Sequence, residues 1–400
     1  MEFEPEDQYA AHRAAARAWV AANVADGWLE EQEVTGNYHT PELHLRLARD
    51  DLLGAGWPAE FGGTAVDPGF ARAVFQEALG LGLRLDGWFS TEMVLDTVLH
   101  VGTDEQKRDM LSAGARGEMV IALGYTEPSC GSDVAAAKTR AVRDGDEWVI
   151  NGSKMFTSTA QEASHVFLLT RTNVDVPKHR GLTMFMVPLD SPGVEIRPVH
   201  TLGGQRTNAT FYSDVRIPDQ LRIGPVDGGW GVMRVALIYE RGLSSPPVGP
   251  TWADRGADWA RSVSRDDGSR VIDDPVVRER LARIAIESEM TRLLTMRVAW
   301  AVQTGAMPAV EGAVLKLLAN ESAQQHLSAL LDLIGEEAVI QDPTSGSFPQ
   351  AVESSFRKAV FTTIAGGSSE IMREIIAERA LGLPKNRPAL GRPVAYPLTI

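Results

Sequence analysis

One stretch of the chain, from Tyr125 to Ser158, carries residue types that can hold a phosphate or a flat heterocycle. Tyr125, Thr126, Gly131 and Ser132 supply hydroxyls and backbone N–H groups in a loop with little side-chain bulk, so a ligand can approach the backbone closely. The residues that follow predict a β-hairpin, because strand-forming segments flank an Asp-Gly turn pair at residues 144–145. The same composition is also typical of an ordinary surface turn.

A second candidate is a carboxylate on an otherwise apolar helix face. Met233, Leu237 and Glu240 fall at i, i+4 and i+7 of a predicted helix and so share one face. Burial there would raise the pKa of the carboxyl and make it a stronger base toward a weakly acidic C–H group. A glutamate at the helix edge, paired with Arg241 or Arg234, would give the same pattern.

Composition narrows the classes of protein and partner. The chain has 400 residues, 44% of them hydrophobic, which suits a large core divided over two or three domains. Its formal net charge of −14 disfavours nucleic acid and anionic membranes as partners, because both are polyanions. The single cysteine, Cys130, excludes an internal disulfide and fits a reducing compartment. The eight histidines show no spacing typical of a metal site.

No stretch of the chain has the pattern of a targeting or membrane segment. The amino terminus is acidic and lacks the apolar region of a secretory signal. No apolar run approaches the roughly 18 residues needed to span a bilayer. We therefore expect a soluble, cytoplasmic protein.

The hydrophobic periodicity changes twice along the chain and predicts three domains. Residues 1–118 show helical spacing, and residues 119–226 alternate with a period of two, which predicts a small antiparallel barrel or sandwich. Residues 227–384 return to helical spacing, and residues 385–400 form a proline-rich tail. We expect an α+β multidomain protein. Flanking proline and glycine predict two long helices in the last domain, at about 274–303 and 309–334. Both are apolar on more than one face, which favours packing against another subunit.

Five short motifs resemble those of the acyl-CoA dehydrogenase family. The loop after Tyr125 matches T-E-P-x-x-G-S-D, and Trp148–Lys154 matches the W-x-I-N-G-x-K strand that follows it. The other three matches are GWPAEFGG at 56–63, GTDEQK at 102–107 and GGSSEI at 366–371. In the second of these, Thr103 is the predicted N-cap of a helix, with Gln106 at the capping-box position. They occur in family order across most of the chain. The resemblance implies an N-terminal helical domain, a middle antiparallel β-domain and a C-terminal four-helix bundle.

The resemblance also implies a cofactor and a reaction, the FAD-dependent conversion of an acyl-CoA to a trans-2-enoyl-CoA. In this family FAD lies between the β-domain and the bundle. Phe156 stands where the family has tryptophan, which keeps a stacking face but removes an indole donor. Motif matching assigns ten residues to FAD: Tyr125, Thr126, Gly131, Ser132, Phe156, Thr157, Ser158, Arg265, Ser368 and Glu370. It assigns Ser132, Arg241 and Gly366 to the substrate.

The family resemblance identifies the helix glutamate as the base. Most members carry the base in a Y-E-G-T-S-E segment, where this chain has Gly366. A minority branch, the isovaleryl- and long-chain-type enzymes, carries it on an earlier helix in an E-R pair, which Glu240 and Arg241 match. This implies that Glu240 removes the α-proton while the β-hydrogen leaves as hydride to flavin N5.

Two motifs through which a neighbouring subunit reaches FAD depart from the family. Residues 265–268 lack the phenylalanine of R-x-x-F-G, and residues 332–335 lack the glutamine of Q-x-x-G-G. A paralogous partner could supply the missing groups, so the assembly is expected to be a homotetramer or a heterotetramer. The resemblance implies an acyl-CoA or acyl-carrier-protein thioester as substrate and electron-transfer flavoprotein as electron acceptor. A non-catalytic partner subunit and a flavin oxidase or monooxygenase on the same fold remain alternatives.

A proline-rich stretch follows the helix that carries Glu240. Three prolines and a glycine at residues 246–250 cannot continue a helix, so we predict a break or kink there. Since that helix lines the acyl cavity in the family, this predicts a pocket wide enough for a branched, cyclic or steroid-like acyl group. A kink that merely passes around a neighbouring subunit would explain the same prolines.

Overall fold

The computed structural model describes residues 7–242, 249–303, 309–342 and 346–384. Its N-terminal region is helical and consists of α1 (Asp7–Asn23), α2 (Trp28–Thr35), α3 (Pro41–Arg49), α4 (Pro68–Gly80), α5 (Asp86–Val101) and α6 (Asp104–Ala115). The predicted capping box of α6 is confirmed, since Thr103 Oγ1 accepts from the Gln106 N–H at 3.2 Å and Gln106 Oε1 from the Thr103 N–H at 3.0 Å. Gln106 Nε2 also donates to the carbonyls of Gln220 and Arg222, both at 2.8 Å, which ties α6 to the middle domain.

The middle region forms one eight-stranded sheet. Its strands are β1 (Ile121–Gly124), β2 (Arg140–Asp144), β3 (Glu147–Lys154), β4 (His165–Arg171), β5 (Leu182–Pro188), β6 (Val194–His200), β7 (Arg206–Pro218) and β8 (Arg222–Ile223). Their order is β6-β7-β3-β2-β4-β5-β8, with β1 beside β4. The pairing is not antiparallel throughout, because β1 runs parallel to β4 and β2 meets β4 in parallel at one residue pair.

The predicted hairpin forms with its turn displaced by one residue. Asp144 pairs with Glu147 as the last rung of β2 and β3, so the turn residues are Gly145 and Asp146. Gly145 adopts a φ of +65°, the left-handed conformation that such a tight turn requires.

Strands β4 and β5 are buried on both faces, which explains their nearly continuous apolar sequences. In β4, Phe167 and Leu169 face the core shared with the N-terminal helices, whereas Val166 and Leu168 face a second core on the other side of the sheet. Alternate residues of β5 divide in the same way. The sheet is therefore the layer between the helical domain and a second, smaller core.

The C-terminal region is again helical. It contains α7 (Gly229–Gly242), α8 (Trp252–Ser262), α9 (Pro275–Gln303), α10 (Ala309–Ile334), α11 (Phe348–Thr362) and α12 (Ser369–Arg379). Helices α8 to α11 share one core, with Ala260, Leu281, Leu330 and Val352 at its centre, and so form a four-helix bundle. The bounds of α9 and α10 agree with the prediction, while α8 and α11 were not predicted from periodicity.

Helix α11 fastens the bundle to both other regions. The Lys358 Nζ pairs with Glu33 of α2 at 2.5 Å, and Arg357 donates to the carbonyl of Leu202 at 2.9 Å. Residues 243–248, which include two of the three prolines after α7, and the tail at 385–400 lie outside the described residues, as does the side chain of Arg241. In the described part of the chain, every helix is too short or too polar to cross a bilayer.

Candidate functional site

The loop between β1 and β2 is held in place by a buried ion pair. Lys154, at the end of β3, is fully buried, and its Nζ lies 2.9 Å from Glu127 Oε1 and 3.2 Å from the Tyr125 carbonyl. The Glu127 carboxylate also accepts from the backbone N–H groups of Lys138 and Thr139, at 2.7 and 2.8 Å. The carboxylate therefore joins the start of the loop, its end and the neighbouring strand.

The Lys154 charge and the hydrogen bonds of Glu127 offset the effect of burial on its carboxylate. Burial alone would raise the pKa of Glu127, but the Lys154 charge and the two backbone N–H donors hold it below its ordinary value. The pair is thus ionised inside the protein, and the charge of Glu127 also acts on Arg171. The sequence alone assigned no role to Glu127 or Lys154, although both lie within matched motifs.

The segment after β3 exposes an aromatic ring in an unusual backbone conformation. Phe156 has a φ of +58° and an exposed fraction of 58%, although a bulky residue rarely adopts that conformation. Its neighbours hold it there, since the Met155 N–H donates to the Thr126 carbonyl at 2.8 Å and the Thr157 N–H to the Asn208 carbonyl at 2.9 Å. The backbone thus presents a flat apolar face next to the loop at 125–132.

Thr157 is turned into the protein rather than toward that face. Its side chain is fully buried, its Oγ1 lies 3.2 Å from Thr210 Oγ1, and its carbonyl accepts from Asn208 Nδ2 at 3.0 Å. Together with the backbone bond to Asn208, these contacts occupy its polar groups. The Ser158 hydroxyl is only partly buried and lies 2.9 Å from Thr207 Oγ1. Of the two, Ser158 is the one that remains accessible.

The loop itself combines an unpartnered hydroxyl with open space. The Tyr125 hydroxyl is buried and has no hydrogen-bond partner in the described structure. Gly131 and Ser132 are exposed, and a Cβ atom on Gly131 would meet no atom within 4 Å. The adjacent Asp133 is held by Lys178, whose Nζ lies 2.6 Å from its Oδ2. A polar ligand could therefore reach the backbone of the loop.

The helix glutamate faces the loop that contains Gly366. Glu240 Oε1 lies 3.0 Å from the position that a Cβ on Gly366 would occupy, and Lys316 Nζ lies 3.5 Å from it. Gly366 has a φ of +64°, which a residue with a side chain adopts at a cost. Although 126 positions separate Glu240 from Gly366 in the sequence, the fold brings them together. A carboxylate at this place can accept a proton from a group that enters beside the loop.

Tyr125 belongs to the same neighbourhood. Burial, and in second place the charge of Glu240, raises the pKa of its phenol well above the ordinary value, so the hydroxyl stays protonated. The structure therefore brings Tyr125, Glu240 and Gly366 into one region, from the loop after β1, from α7 and from the loop before α12.

The remaining predicted site residues have local partners. Ser368 is the N-cap of α12, its Oγ accepting from the Ile371 N–H at 3.4 Å, and Glu370 is exposed in the first turn of that helix. Arg265 lies between α8 and α9, where its Nη2 binds Asp274 Oδ2 at 2.9 Å. Within the single chain, Arg265 is thus engaged by the bundle and not by the loop at 125–132.

A pair of half-buried carboxyls near α7 was not predicted. Glu92 and Asp96 lie one turn apart on α5, and burial raises the pKa of Glu92 to about 8 and that of Asp96 to about 6. Trp57 Nε1 donates to Asp96 at 2.8 Å, and the Asp96 charge adds to the effect of burial on Tyr239, the neighbour of Glu240. Their i, i+4 spacing within an apolar helix was the available signal. Among the described residues, no group of His, Cys, Asp and Glu side chains is arranged to hold a metal ion.

Comparison with known proteins identifies matches along nearly the whole chain. Residues 6–118, 122–215 and 227–381 match the N-terminal, middle and C-terminal domain models of acyl-CoA dehydrogenase. The acyl-CoA dehydrogenase FadE26 of Mycobacterium tuberculosis is 34% identical over 356 residues, which cover 86% of this chain and 88% of that protein.

Two solved structures share the fold. A chain of the ChsE4-ChsE5 complex from Mycobacterium tuberculosis is 33% identical with a TM-score of 0.86, covering 96% of this chain and 100% of that one. A chain of the Tcur3481-Tcur3483 steroid ACAD is 31% identical with a TM-score of 0.83, again over 96% and 100% of the two chains.

Proposed function

Because the chain belongs to the acyl-CoA dehydrogenase family of FAD-dependent oxidoreductases, we propose that it dehydrogenates an acyl thioester between Cα and Cβ with Glu240 as the base. The observation that carries this proposal is the position of Glu240 Oε1, 3.0 Å from where a Cβ on Gly366 would lie. In most of the family the carboxylate extends from the residue at Gly366. Here the carboxylate from α7 fills that space, and the glycine leaves room for it.

The residues around the loop at 125–132 fit a flavin. They offer an unpartnered buried hydroxyl at Tyr125, open space at Gly131, an exposed ring at Phe156 and an accessible hydroxyl at Ser158. We assign the isoalloxazine to the face of Phe156 and the polar contacts to Thr126, Ser132 and Ser158. Bound there, FAD supplies the acceptor for the hydride that leaves Cβ.

In this proposal Glu240 is the base that acts on the thioester. The carboxylate takes the α-proton, the electron pair of that C–H bond becomes the Cα–Cβ double bond, and the β-hydrogen leaves as hydride. Tyr125 stays protonated beside it and so does not compete for the proton. Thr157 and the pair of Lys154 with Glu127 hold the surrounding loop in place.

Replacing the base tests the proposal directly. Glu240→Gln keeps the shape of the side chain but removes the proton acceptor, so FAD content should be retained while flavin reduction by an acyl-CoA slows by at least ~10²-fold. Glu118→Gln, an exposed change before β1, is the control. Reduction by Glu240→Gln at the rate of the unaltered chain would refute the assignment.

We further propose a bulky acyl group and a second, paralogous subunit. Two relatives in solved structures support these proposals, since one is named as a two-chain complex and the other as a steroid ACAD. Arg265 is occupied by Asp274 within its own bundle, which agrees with a partner that completes the FAD site. The rate of flavin reduction by ring-bearing and by linear acyl-CoAs tests the bulky substrate. The FAD content of the chain with and without a co-expressed paralogue tests the need for a partner. A preference for linear chains would refute the bulky substrate, and full FAD content in the single chain would refute the need for a partner.

A further inference from the structure

Three polar side chains on one face of α10 cap the end of α11. Lys316, Asn320 and Gln324 are spaced four residues apart, so they lie above one another along the helix. Lys316 Nζ donates to the Ala365 carbonyl at 2.8 Å, Asn320 Nδ2 to Thr362 at 2.8 Å, and Gln324 Nε2 to Ala359 at 3.0 Å. The last carbonyls of a helix have no partner inside it, and here the neighbouring helix provides the donors.

The first of these donors, Lys316, holds the loop that faces Glu240. Ala365, whose carbonyl binds Lys316, is followed by Gly366 and Gly367 with φ of +64° and +100°. The other end of the loop is held by the Ser369 N–H, which donates to the Thr363 carbonyl at 2.9 Å. Two consecutive glycines have little preference for this conformation by themselves, so these contacts select it.

The ammonium group of Lys316 also lies close to the base. Its Nζ is 3.5 Å, and Glu240 Oε1 is 3.0 Å, from the same point, the position of a Cβ on Gly366. The carboxylate on α7 and the ammonium on α10 thus meet at one loop.

We propose that Lys316 is a positioning residue for the base: it holds the Ala365–Gly367 loop against Glu240, and its charge keeps the Glu240 carboxylate ionised before substrate enters. The inference rests on the proposed function, in which Glu240 accepts the α-proton. An apolar helix face favours the protonated carboxyl, which cannot accept a proton. A cation within about 6 Å opposes that effect by about 1–3 pKa units. After Glu240 has accepted the α-proton it is neutral. Lys316 keeps its charge throughout and takes no part in the proton transfer.

Other titratable and charged groups lie on the elements that pack against α7. Tyr125 is a neutral phenol, and β5 has no titratable side chain. From α5, the acidic Asp96 acts on Tyr239, and near the start of α7 the ring of His179 packs against Trp230 at 4.6 Å. Charged side chains of α9 have partners of opposite charge: Glu287 with His326, Arg292 with Glu289, and Arg297 with Glu311.

Three variants separate the charge of Lys316 from its structural role. Lys316→Met removes the charge and the donor but keeps the aliphatic stem, Lys316→Arg restores both, and Gln324→Leu removes a lower donor of the same face. Two titrations are read for each: the pH dependence of flavin reduction, and an infrared titration of ¹³C-labelled glutamate carboxyls. The Glu240 band in the infrared spectrum is identified by its loss in Glu240→Gln. The infrared reading requires no turnover.

In Lys316→Met we expect both pH midpoints to rise by about one unit or more, so that the reduction rate falls about tenfold at pH values below both midpoints. Lys316→Arg should return the midpoints to those of the unaltered chain. Gln324→Leu should lower the melting temperature and leave the midpoints unchanged.

Two results would overturn the inference: unchanged midpoints in Lys316→Met, or an equal shift in Gln324→Leu. A Glu240→Gln variant that still reduces its flavin at full rate would instead refute the proposed function. The infrared midpoint would then still show whether Lys316 controls the charge of Glu240.

Discussion

Glu240 Oε1 lies 3.0 Å from the point at which a side chain on Gly366 would begin. A side chain at position 366 would therefore meet the Glu240 carboxylate, which would have to move to admit it. Glycine at 366 avoids this contact and also the strain of a side chain at a φ of +64°.

This relationship predicts that Gly366→Ala impairs flavin reduction. The methyl group would displace the carboxylate of Glu240, and we expect the reduction rate to fall at least ~10-fold, as for other losses of base alignment. Gly382→Ala is a matched control, because Gly382 has the same φ of +64° but nothing within 4 Å of the new methyl group. Both changes should cost about 1–2 kcal/mol in backbone strain. Equal reduction rates in the two variants would contradict the steric role of Gly366.

The buried pair of Lys154 and Glu127 predicts a large loss of stability when one partner is removed. Lys154→Met leaves the buried Glu127 carboxylate without its paired ammonium, which should lower the free energy of unfolding by about 3–5 kcal/mol and reduce FAD content. Adding Glu127→Gln to Lys154→Met should recover part of the loss, because the buried charge is then gone. The measurement is urea unfolding of all three proteins.

Arg216→Met provides the comparison for that experiment. Arg216 binds Asp144 and Glu147 at 2.7 and 3.0 Å, but all three side chains are about half exposed. Exposed pairs contribute little because water screens them. If Arg216→Met loses as much stability as Lys154→Met, burial does not explain the large effect expected for the Lys154 pair.

His39 and His44 predict a stability that declines in mild acid. Burial lowers the pKa of His39 to about 4 and, together with the charge of His39, that of His44 to about 3. Above pH 6.5 both are neutral in the folded and unfolded states and have no effect on stability. Below pH 6.5 only the unfolded chain takes up their protons, so the free energy of unfolding should fall by up to ~1.4 kcal/mol per pH unit for each histidine.

Unfolding in urea at pH 7 and pH 5 measures this slope. His44→Leu should reduce the decline between the two values, whereas the exposed His100→Gln should leave it unchanged. If the free energy of unfolding of His44→Leu falls as steeply between pH 7 and pH 5 as that of the unaltered protein, burial of that imidazole does not govern the acid sensitivity.

The bundle predicts an oligomer. Ile286 and Met290 lie one turn apart on α9 with exposed fractions of 62% and 47%, and Val360 and Ile364 expose a second apolar area near the end of α11. We expect light scattering to give a multiple of the 43.4 kDa chain, alone or with its paralogue. Ile286→Glu should lower that mass by introducing a charge into the contact. Leu45→Glu, at 57% exposure on α3, should not, and a monomer in the unaltered protein would contradict the prediction.

The sequence by itself determined the local features, because their signals lie within a few residues of one another. The capping box of Thr103 and Gln106 and the positive φ of Gly145 depend on neighbours along the chain, and both form as predicted. The bounds of α9 and α10 followed from flanking proline and glycine. Five motifs also sufficed to predict the family, its FAD dependence and the three-part fold.

Only the tertiary structure decided how the site is assembled. The meeting of Glu240, Gly366 and Lys316 joins three elements that are far apart in the sequence. Thr157 matched a cofactor motif, yet its hydroxyl turns inward to Thr210, because side-chain direction depends on which strand lies beside it. The raised pKa of Glu92, to about 8, depends on burial by packed helices. Direction and desolvation are properties of neighbours across the fold, so no pattern along the chain could reveal them.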